Sequence, residues 1–532
     1  MKRNIFVSMM VGAAALTGLT SCNGWLGEPS PGVQNFDDFF INGSVCIQTV
    51  NAAYAPLAWD FNNSYYDEWF IGDIASDDAL KGGQNLADGA NAYDIDNFKV
   101  NPNNGILLDY YRCKFMGIAR CNLAIDQLPG MVGKLAEDDP VTEERLQCAI
   151  GEAHFMRAMY YFQLVRVFGR VPKIDFVVSD SGLWKQPCAT TQEIYDFIIQ
   201  DLLKAHDLLW EKSQYPDTDA GRATKGAAKA YLCKAYLYMK DYDNAYKWGK
   251  DWVDNEYNKG EYALSSDYFK NFTLAGENDK ESVFEIQYMD DPTSSYGGFG
   301  FSRGSFSMRL TRPRASQLGA VGWGWNHPTQ ELWDAYEAGD PRREQTIGVL
   351  STEDQENSEA VYLGNIYYNR KTCWIEDGVF PALSHDSRGP LNYKLMRASD
   401  ALLLYAEAAN ESGKDMAGAK WALEQVRSRA RAQVNTPVLP EFPGYNGYTD
   451  NAESLRQAIR HERRVELGME AHRWFDIVRW GIAADVMNNY RKTTSAEVRE
   501  QMAEFLPGKC ELFPLPAEEI NLNPLMTQNP GY

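Results

Sequence analysis

The chain has little histidine and no compact arrangement of metal ligands. It contains six histidines, none in an H-E-x-x-H pattern, and its nine cysteines include no C-x-x-C pair. Because a zinc site needs closely spaced His or Cys ligands, these absences give zinc chemistry no support. Basic residues are also the minority, with 52 Lys and Arg against 73 Asp and Glu and a formal charge of −21. Such a surface repels nucleic acid and anionic lipid head groups, which leaves neutral sugars and peptides as ligand classes.

Long apolar runs are missing after the N-terminus. The one apolar run, residues 5–19, follows Lys2 and Arg3 and ends in the sequence LTSC at Cys22. It is shorter than the roughly 20 residues that cross a bilayer. A basic start, an apolar run and small residues at the cut are the order of a secretory signal. The cysteine after the small residues resembles a bacterial lipoprotein signal, in which residues 1–21 are removed and Cys22 carries the lipid. An ordinary signal peptide with an incidental cysteine is the alternative.

Eight cysteines remain after Cys22, an even number that could form disulfides in an exported protein. Several of them, Cys148 and Cys233 among them, lie inside helical patterns, where cysteine is often a small buried hydrophobe. We therefore expect mostly free, buried thiols.

Apolar residues recur at spacings of three and four over much of the chain, as at Ala149, Ala153 and Met156, which is the period of an amphipathic helix. Two segments, 227–253 and 402–430, each join two such helices through a short polar break. Small residues allow the two helices to approach, and aromatic residues fill the space beside them. This is the layout of a tetratricopeptide hairpin. Weaker pairs are expected at 143–168 with 191–210 and at 44–58 with 107–128, for about four hairpins.

The sequence thus predicts a mainly α chain, in which a single domain spans 22–532 and begins with a tether at 22–34. Two loop-rich insertions, 59–100 and 257–387, carry Gly, Asp, Asn, Ser and aromatic residues and a few short strands, one of them at 283–288. Loops carried by a helical scaffold are where binding residues tend to lie. The helical segments are predicted near 44–58, 107–128, 144–258 and 399–433, with C-terminal helices and a tail at 452–532.

Four motifs, kept in order along the chain, carry a family resemblance. They are GEAHFMRAMYYFQLVRVFGRVP at 151–172, LLYAEAANE at 403–411, ERRVEL at 462–467 with HRWFDIVRWG at 472–481, and FPLP at 513–516 with Asn523-Pro524 and the terminal QNPGY. With these motifs and the lipoprotein signal, the chain resembles the SusD/RagB family of outer-membrane nutrient-binding lipoproteins from Cys22 to its last residue.

The resemblance implies both a location and an activity. Members of this family are lipid-anchored at the cell surface and cover a SusC-like TonB-dependent transporter in the outer membrane. They capture oligosaccharides, or in some cases peptides, and pass them to that transporter. The resemblance also implies a largely helical fold with four tetratricopeptide-type hairpins, and no enzymatic activity.

The charged residues of the third motif could suggest acid–base chemistry. However, Arg463 and Glu466 are three residues apart, as are Arg473 and Asp476, and side chains at that spacing can pair on one helix. We therefore expect structural ion pairs and no catalytic residue.

Aromatic rings that meet the faces of a sugar, beside polar groups that meet its hydroxyls, characterise a glycan site. Three loop segments offer this mixture: 73–93, 296–301 and 322–326. In the first, Ser76-Asp77-Asp78 resembles a motif after which glycan-binding members of the family contact ligand, although the Trp that some members carry there is missing. The predicted ligand-binding residues are Asp77, Asp78, Lys81, Asn85, Tyr93, Tyr296, Trp323 and Trp325.

Other interpretations remain open at this point. Trp323 and Trp325 could pack on the scaffold, and Asp77 and Asp78 could fix their loop through backbone N–H groups or hold calcium. No other cofactor is expected. For the whole chain, the alternatives are a peptide-binding member of the family, a protein-docking subunit without its own ligand site, and a glycosidase.

Overall fold

The computed structural model describes residues 39–59, 68–180, 182–290, 304–314, 322–357, 360–384, 388–435 and 438–532. Within these ranges it contains 19 α-helices and eight short strands, so the predicted mainly α class is confirmed. None of the helices in these ranges is both long enough and apolar enough to cross a bilayer.

The helices are α1 (Gly43–Tyr54), α2 (Trp69–Gly72), α3 (Ala90–Asp96), α4 (Gly105–Gln127), α5 (Glu143–Phe168), α6 (Thr191–Leu208), α7 (Lys225–Tyr238), α8 (Tyr242–Trp252), α9 (Ser307–Thr311), α10 (Gln330–Ala335), α11 (Arg342–Thr346), α12 (Thr352–Gln355), α13 (Ala398–Glu411), α14 (Met416–Arg431), α15 (Ala452–Glu466), α16 (Arg473–Arg479), α17 (Ala483–Thr493), α18 (Ala496–Gln501) and α19 (Ala517–Leu522). The strands are β1 (Ala79–Gly82), β2 (Val171–Pro172), β3 (Cys188–Ala189), β4 (Ser282–Ile286), β5 (Trp325–Pro328), β6 (Ile347–Val349), β7 (Tyr367–Asn369) and β8 (Tyr393–Arg397).

Four helix pairs form the scaffold, and they are the pairs that the sequence predicts. Helix α1 packs on α4, α5 on α6, α7 on α8, and α13 on α14. Contacts of α4 with α5, of α6 with α7 and of α8 with α13 join the four pairs into one helical scaffold. The close approach requires small residues: a Cβ on Gly117 of α4 would lie 2.3 Å from the ring of Tyr160 on α5.

All eight cysteines that follow Cys22 lie in the described part of the chain, and each is a free thiol. Seven are buried, and Cys188 is half-buried. The expectation of free, mostly buried thiols is therefore confirmed. Burial raises the pKa of the Cys46 thiol to about 11, so that group stays protonated and unreactive at neutral pH.

The strands form four two-stranded antiparallel pairs: β1 with β5, β2 with β3, β4 with β8, and β6 with β7. The strand predicted at 283–288 is observed as β4. The β1–β5 pair ties the first loop-rich insertion to the second, although the two are far apart in the sequence. Its register places Gly82 opposite Trp325 at one end and Ala79 opposite Pro328 at the other.

A buried network of ion pairs connects α15 with the elements around it. Arg397, at the end of β8, is fully buried and pairs with Glu281 at 2.6 Å, Glu466 at 3.0 Å and Glu470 at 2.7 Å. Burial raises the pKa of Glu466, but the arginines around it, Arg429 first, lower it more, and the net pKa lies well below the usual range. The Glu466 carboxylate is therefore charged and paired with these arginines.

The individual pairs predicted within the third motif are wrong. Arg463 pairs with Asp400 at 2.7 Å and with Asp476 at 2.8 Å, not with Glu466. Arg473 pairs with Asp77, 396 residues away in the sequence, not with Asp476. Spacing on one helix identifies only the local candidates, whereas a buried charge is stabilised by partners from every element that surrounds it.

Replacing Arg397 by Met should destabilise the fold strongly. The change would leave Glu281, Glu466 and Glu470 with less compensating charge, and breaking a buried pair costs about 3–5 kcal/mol. The free energy of unfolding from urea titration measures the effect. Lys250→Met is the control, because Lys250 pairs with Asp254 on the surface and should lose less than about 0.5 kcal/mol. Equal losses in the two variants would contradict the role of the network.

Candidate functional site

The β1–β5 pair brings two of the three predicted ligand segments together. The backbone N–H of Gly83 donates to the carbonyl of Gly324 at 2.5 Å, and the backbone N–H of Thr329 donates to the backbone carbonyl of Asp78 at 2.9 Å. Both Gly82 and Gly324 have positive φ, 75° and 68°, and a Cβ on Gly82 would lie 2.2 Å from the Gly324 oxygen. Glycine at these positions therefore allows the two segments to meet.

Lys81 holds the loop that comes after β1, residues 82–89, from the inside. Its ammonium group donates to the carbonyls of Gly82 at 2.7 Å, Asn85 at 3.1 Å and Asp88 at 2.5 Å. The side chain is fully buried, and burial lowers its pKa to about 8. Lys81 therefore supports the loop from the inside, with its charged end enclosed by backbone oxygens.

Trp325 lies underneath the same loop. Only 4% of it is exposed, and its indole nitrogen is 3.4 Å from a carboxylate oxygen of Asp88. A Cβ on Gly89 would lie 2.4 Å from the indole ring, so the loop backbone rests directly on it. The ring meets Phe70 edge-on at 5.8 Å. Of the two interpretations of this tryptophan, packing on the protein is the one observed.

Asp77 and Asp78 are bound by arginines of the third motif. Arg473 Nε donates to Asp77 at 2.8 Å, and Arg464 reaches Asp77 and Asp78 at 2.8 and 2.7 Å. Both acids are buried. Burial raises the pKa of Asp77, but the two guanidinium groups lower it by more, and the net pKa lies well below its usual range. These carboxylates therefore fix the position of their loop against α15 and α16.

The calcium alternative depended on the same two acids, which here face guanidinium groups. Among the residues that the structure describes, no group of three or more His, Cys, Asp and Glu side chains is arranged to hold a metal ion.

Among the described residues, Trp323 is the aromatic residue that remains accessible at this end of the β1–β5 pair. It is half-buried, meets Phe306 edge-on at 5.2 Å, and lies 6.3 Å from Trp325. Asn85 is exposed on the 82–89 loop above Trp325. We call these two residues, with Asp88 and Arg314, the Trp323 surface. It combines one ring face with amide, carboxylate and guanidinium groups.

Two residues of this surface, Asp88 and Arg314, are not among those that the sequence predicts. Arg314 Nη1 lies 3.9 Å from the Asp88 carboxylate, and its side chain passes beside Gly324. Asp88 also accepts a hydrogen bond from the N–H of Gln84 at 2.9 Å, which fixes its direction. No pattern in the sequence distinguishes these two residues from other charged loop residues, because only the strand pairing brings them together.

Three predicted residues lie apart from this surface or outside the described part of the chain. Tyr93, on α3, donates to Gln501 of α18 at 3.1 Å and accepts from Lys99 at 2.8 Å, so its hydroxyl is already engaged. Tyr296 and the lipid-anchor residue Cys22 lie outside the described residues. Ligand contact stays a prediction for all eight residues, of which Asp77, Asp78, Lys81 and Trp325 are buried in this structure.

Comparison with known families defines the class of protein. A model of the SusD family matches residues 367–532, and a second model, described as starch-binding and associating with the outer membrane, matches residues 35–237. The chain belongs to the SusD/RagB family. The second description also associates such proteins with the outer membrane.

Individual relatives agree with this assignment. SusD-like protein P2 of Formosa agariphila is 29% identical over 456 residues, which are 82% of this chain and 83% of the relative. The starch-binding protein SusD of Bacteroides thetaiotaomicron is 21% identical over 78% of this chain and 76% of its own length. A solved structure of a laminarin-binding SusD-like protein aligns with a TM-score of 0.75 at 27% identity, over 93% of this chain and all of that one.

Replacing Lys81 by Met should loosen the 82–89 loop without disturbing the helices. The change removes three hydrogen bonds from a charged donor, and each such bond contributes about 1.5–3 kcal/mol. We expect the amides of residues 83–88 to exchange at least about tenfold faster, measured by hydrogen-exchange mass spectrometry, with the amides of α5 unchanged. Lys250→Met serves as the control. Unchanged exchange in the loop of the Lys81 variant would contradict the supporting role.

Proposed function

We propose that this chain is a cell-surface lipoprotein that binds oligosaccharides at the Trp323 surface and delivers them to a SusC-like TonB-dependent transporter. The observation that carries the proposal is the accessible Trp323 ring, 6.3 Å from the Trp325 ring over which the 82–89 loop lies, on a SusD-family scaffold. A binding protein needs no reacting group, and the proposal assigns the chain no catalytic residue.

The chemistry of the Trp323 surface suits a neutral glycan. A sugar ring presents C–H groups on its face, which pack on an indole, and hydroxyls at its edge, which exchange hydrogen bonds with amide, carboxylate and guanidinium groups. The strongly acidic chain favours a ligand without negative charge. The similar laminarin-binding structure supports a glucan among the ligands to test first.

The buried layer below the Trp323 surface supports the same proposal. Lys81, Trp325 and the Asp77–Arg473 pair hold the loop and strand from beneath, so the exposed groups are positioned before a ligand arrives. Binding by positioned groups avoids the entropy cost of ordering them on contact.

Replacing Trp323 by Ala should weaken glycan binding by about tenfold or more, because it removes the one accessible ring of this surface. Isothermal titration against laminarin oligosaccharides and a panel of other glycans and of peptides gives the affinities. Trp184→Ala is the matched control, since Trp184 is a half-buried tryptophan in a loop outside this surface.

Two outcomes of that titration would change the proposal. Glycan affinity unaffected by the Trp323 change would remove the Trp323 surface as the site. Binding of peptides alone would replace the ligand class by that of the peptide-binding alternative and keep the uptake role.

Lipid anchoring at Cys22 and outward display can be tested on cells. We expect protease added to intact cells to degrade the wild-type chain, and a Cys22→Ala variant to be lost from the outer-membrane fraction. An affinity tag on the chain should co-purify the transporter from detergent-solubilised membranes. Full protection of the wild-type chain from protease would indicate that the anchor faces the periplasm.

A further inference from the structure

Asp96, the last residue of α3, closes the base of the 82–89 loop. The loop leaves β1 at Gly82 and enters α3 at Ala90. A carboxyl oxygen of Asp96 accepts a hydrogen bond from the backbone N–H of Lys81 at 2.8 Å, across 15 residues of sequence. The end of α3 is thereby tied back to β1, and the loop that carries part of the Trp323 surface lies between the two tied points.

Lys81 connects this base to the interior of the loop. Its backbone N–H is donated to Asp96, whereas its ammonium group donates to three carbonyls of the loop. In this arrangement the ammonium group makes no ion pair with Asp96. Because one residue makes both sets of hydrogen bonds, a change in the charge of Asp96 acts directly on the group that holds the loop.

The Asp96 carboxyl group is buried. The residue is 6% exposed, and among the described residues Lys81 alone donates a hydrogen bond to its side chain. Burial raises the pKa of Asp96 to about 7, since the N–H and the ammonium group of Lys81 favour the charged form by less than burial disfavours it. The carboxyl group is therefore neutral in mild acid and charged in mild base.

The other titratable groups that face Asp96 do not change charge around neutral pH. Tyr362 and Tyr490 are buried, and burial raises the pKa of both phenols above the usual value, so both stay neutral. Burial lowers the pKa of Lys81 to about 8, so its ammonium group is still charged at pH values where Asp96 begins to ionise.

Two further groups face Lys81. Asp88, on the loop, favours the charged form of the ammonium group. His327, on β5, is buried, and burial lowers its pKa to about 4, so the imidazole is neutral throughout the range in which Asp96 ionises. Asp96 is therefore the group of this cluster whose charge changes first as the pH rises through neutrality.

We propose that Asp96 is a positioning residue for the Trp323 surface, which keeps the 82–89 loop ordered while its carboxyl group is protonated and loosens the loop when it ionises. A buried carboxylate attracts the Lys81 ammonium group, which then gives up carbonyls of the loop. The groups above the loop lose their fixed positions, and affinity for ligand falls. The effect on ligand rests on the proposed function, whereas the effect on the loop does not.

The direction of the pH dependence follows from the two states of Asp96. The usual pKa of an aspartate is 3.8, and in the folded chain it is raised to about 7. A group with a raised pKa stabilises the folded arrangement fully below the lower value, and this contribution is lost as the pH rises through the upper one. Order in the loop should therefore decrease between about pH 5.5 and about pH 8.5.

The test compares the wild type with Asp96→Asn, which keeps an acceptor for the Lys81 N–H and cannot ionise. Hydrogen-exchange mass spectrometry, corrected for the intrinsic exchange rate at each pH, gives the protection of the amides of residues 83–88. We expect wild-type protection to fall about tenfold from about pH 5.5 to about pH 8.5 and that of the variant to change less than about threefold. Lys81 and His327 are present in both proteins, so the difference isolates Asp96.

Isothermal titration at the same two pH values extends the test to ligand. Wild-type affinity for laminarin oligosaccharides, or for whichever glycan the panel identifies, should fall about fivefold or more as the pH rises, and that of Asp96→Asn should stay within about twofold. Asp94→Asn is the matched control, since Asp94 is a half-buried aspartate on the same helix that does not bond to β1. This control should keep the wild-type pH profile. Thermal unfolding reports whether each variant is folded.

Three results would overturn the proposal: equal pH dependence of loop exchange in the wild type and Asp96→Asn, wild-type protection that does not fall as the pH rises, or loss of the pH dependence in Asp94→Asn as well. Loop exchange that follows Asp96 while glycan affinity stays constant would overturn the link to the Trp323 surface. A wild type that binds no glycan at either pH would remove the proposed function instead, and loop exchange would still decide the role of Asp96.

Discussion

Ion pairs made by α15 and α16 hold together parts of the chain that are distant in sequence. Arg464 and Arg473 bind Asp77 and Asp78 of the first insertion, and Arg463 binds Asp400 at the start of α13. The three aspartates are buried, so removing an arginine leaves a buried carboxylate uncompensated at a cost of several kcal/mol. The position of the 77–89 segment, and with it the Trp323 surface, therefore depends on arginines nearly 400 residues further along the chain.

Above these ion pairs, the candidate site has an inner layer and an outer layer. Lys81 and Trp325 form the inner layer. The Lys81 ammonium group donates hydrogen bonds to carbonyls of the loop, and the Trp325 indole packs under the loop backbone. Trp323 and Asn85 form the outer layer and keep accessible surface. The inner residues act by positioning the outer ones, which is the arrangement expected of a preorganised binding site.

The two ends of the β1–β5 pair have different chemistry although one short ribbon supports both. At the Gly82 end, an accessible ring lies beside charged and amide groups, which suits a chain of sugars lying across a surface. At the Ala79 end, the pair borders a pocket whose walls at Leu80, Leu363 and Val498 are apolar.

The four helix pairs could be predicted from the sequence, because the apolar residues on the buried face of a helix recur every three to four positions. The free thiols were predictable from the same periodicity. The sequence also identified the segments that contain β1 and most of β5 as candidate ligand-binding segments, but not which of their side chains would be exposed. The sequence Gly-Trp-Gly-Trp at 322–325 does not show which of the two rings is exposed and which is buried. The pairing of β5 with β1, far earlier in the chain, buries Trp325 and leaves Trp323 accessible. Likewise, the sequence of Asp77-Asp78 suggests ligand contacts, whereas in the tertiary structure these acids pair with Arg464 and Arg473. These partners could not be predicted, because a buried charge pairs with an opposite charge that only the fold brings close.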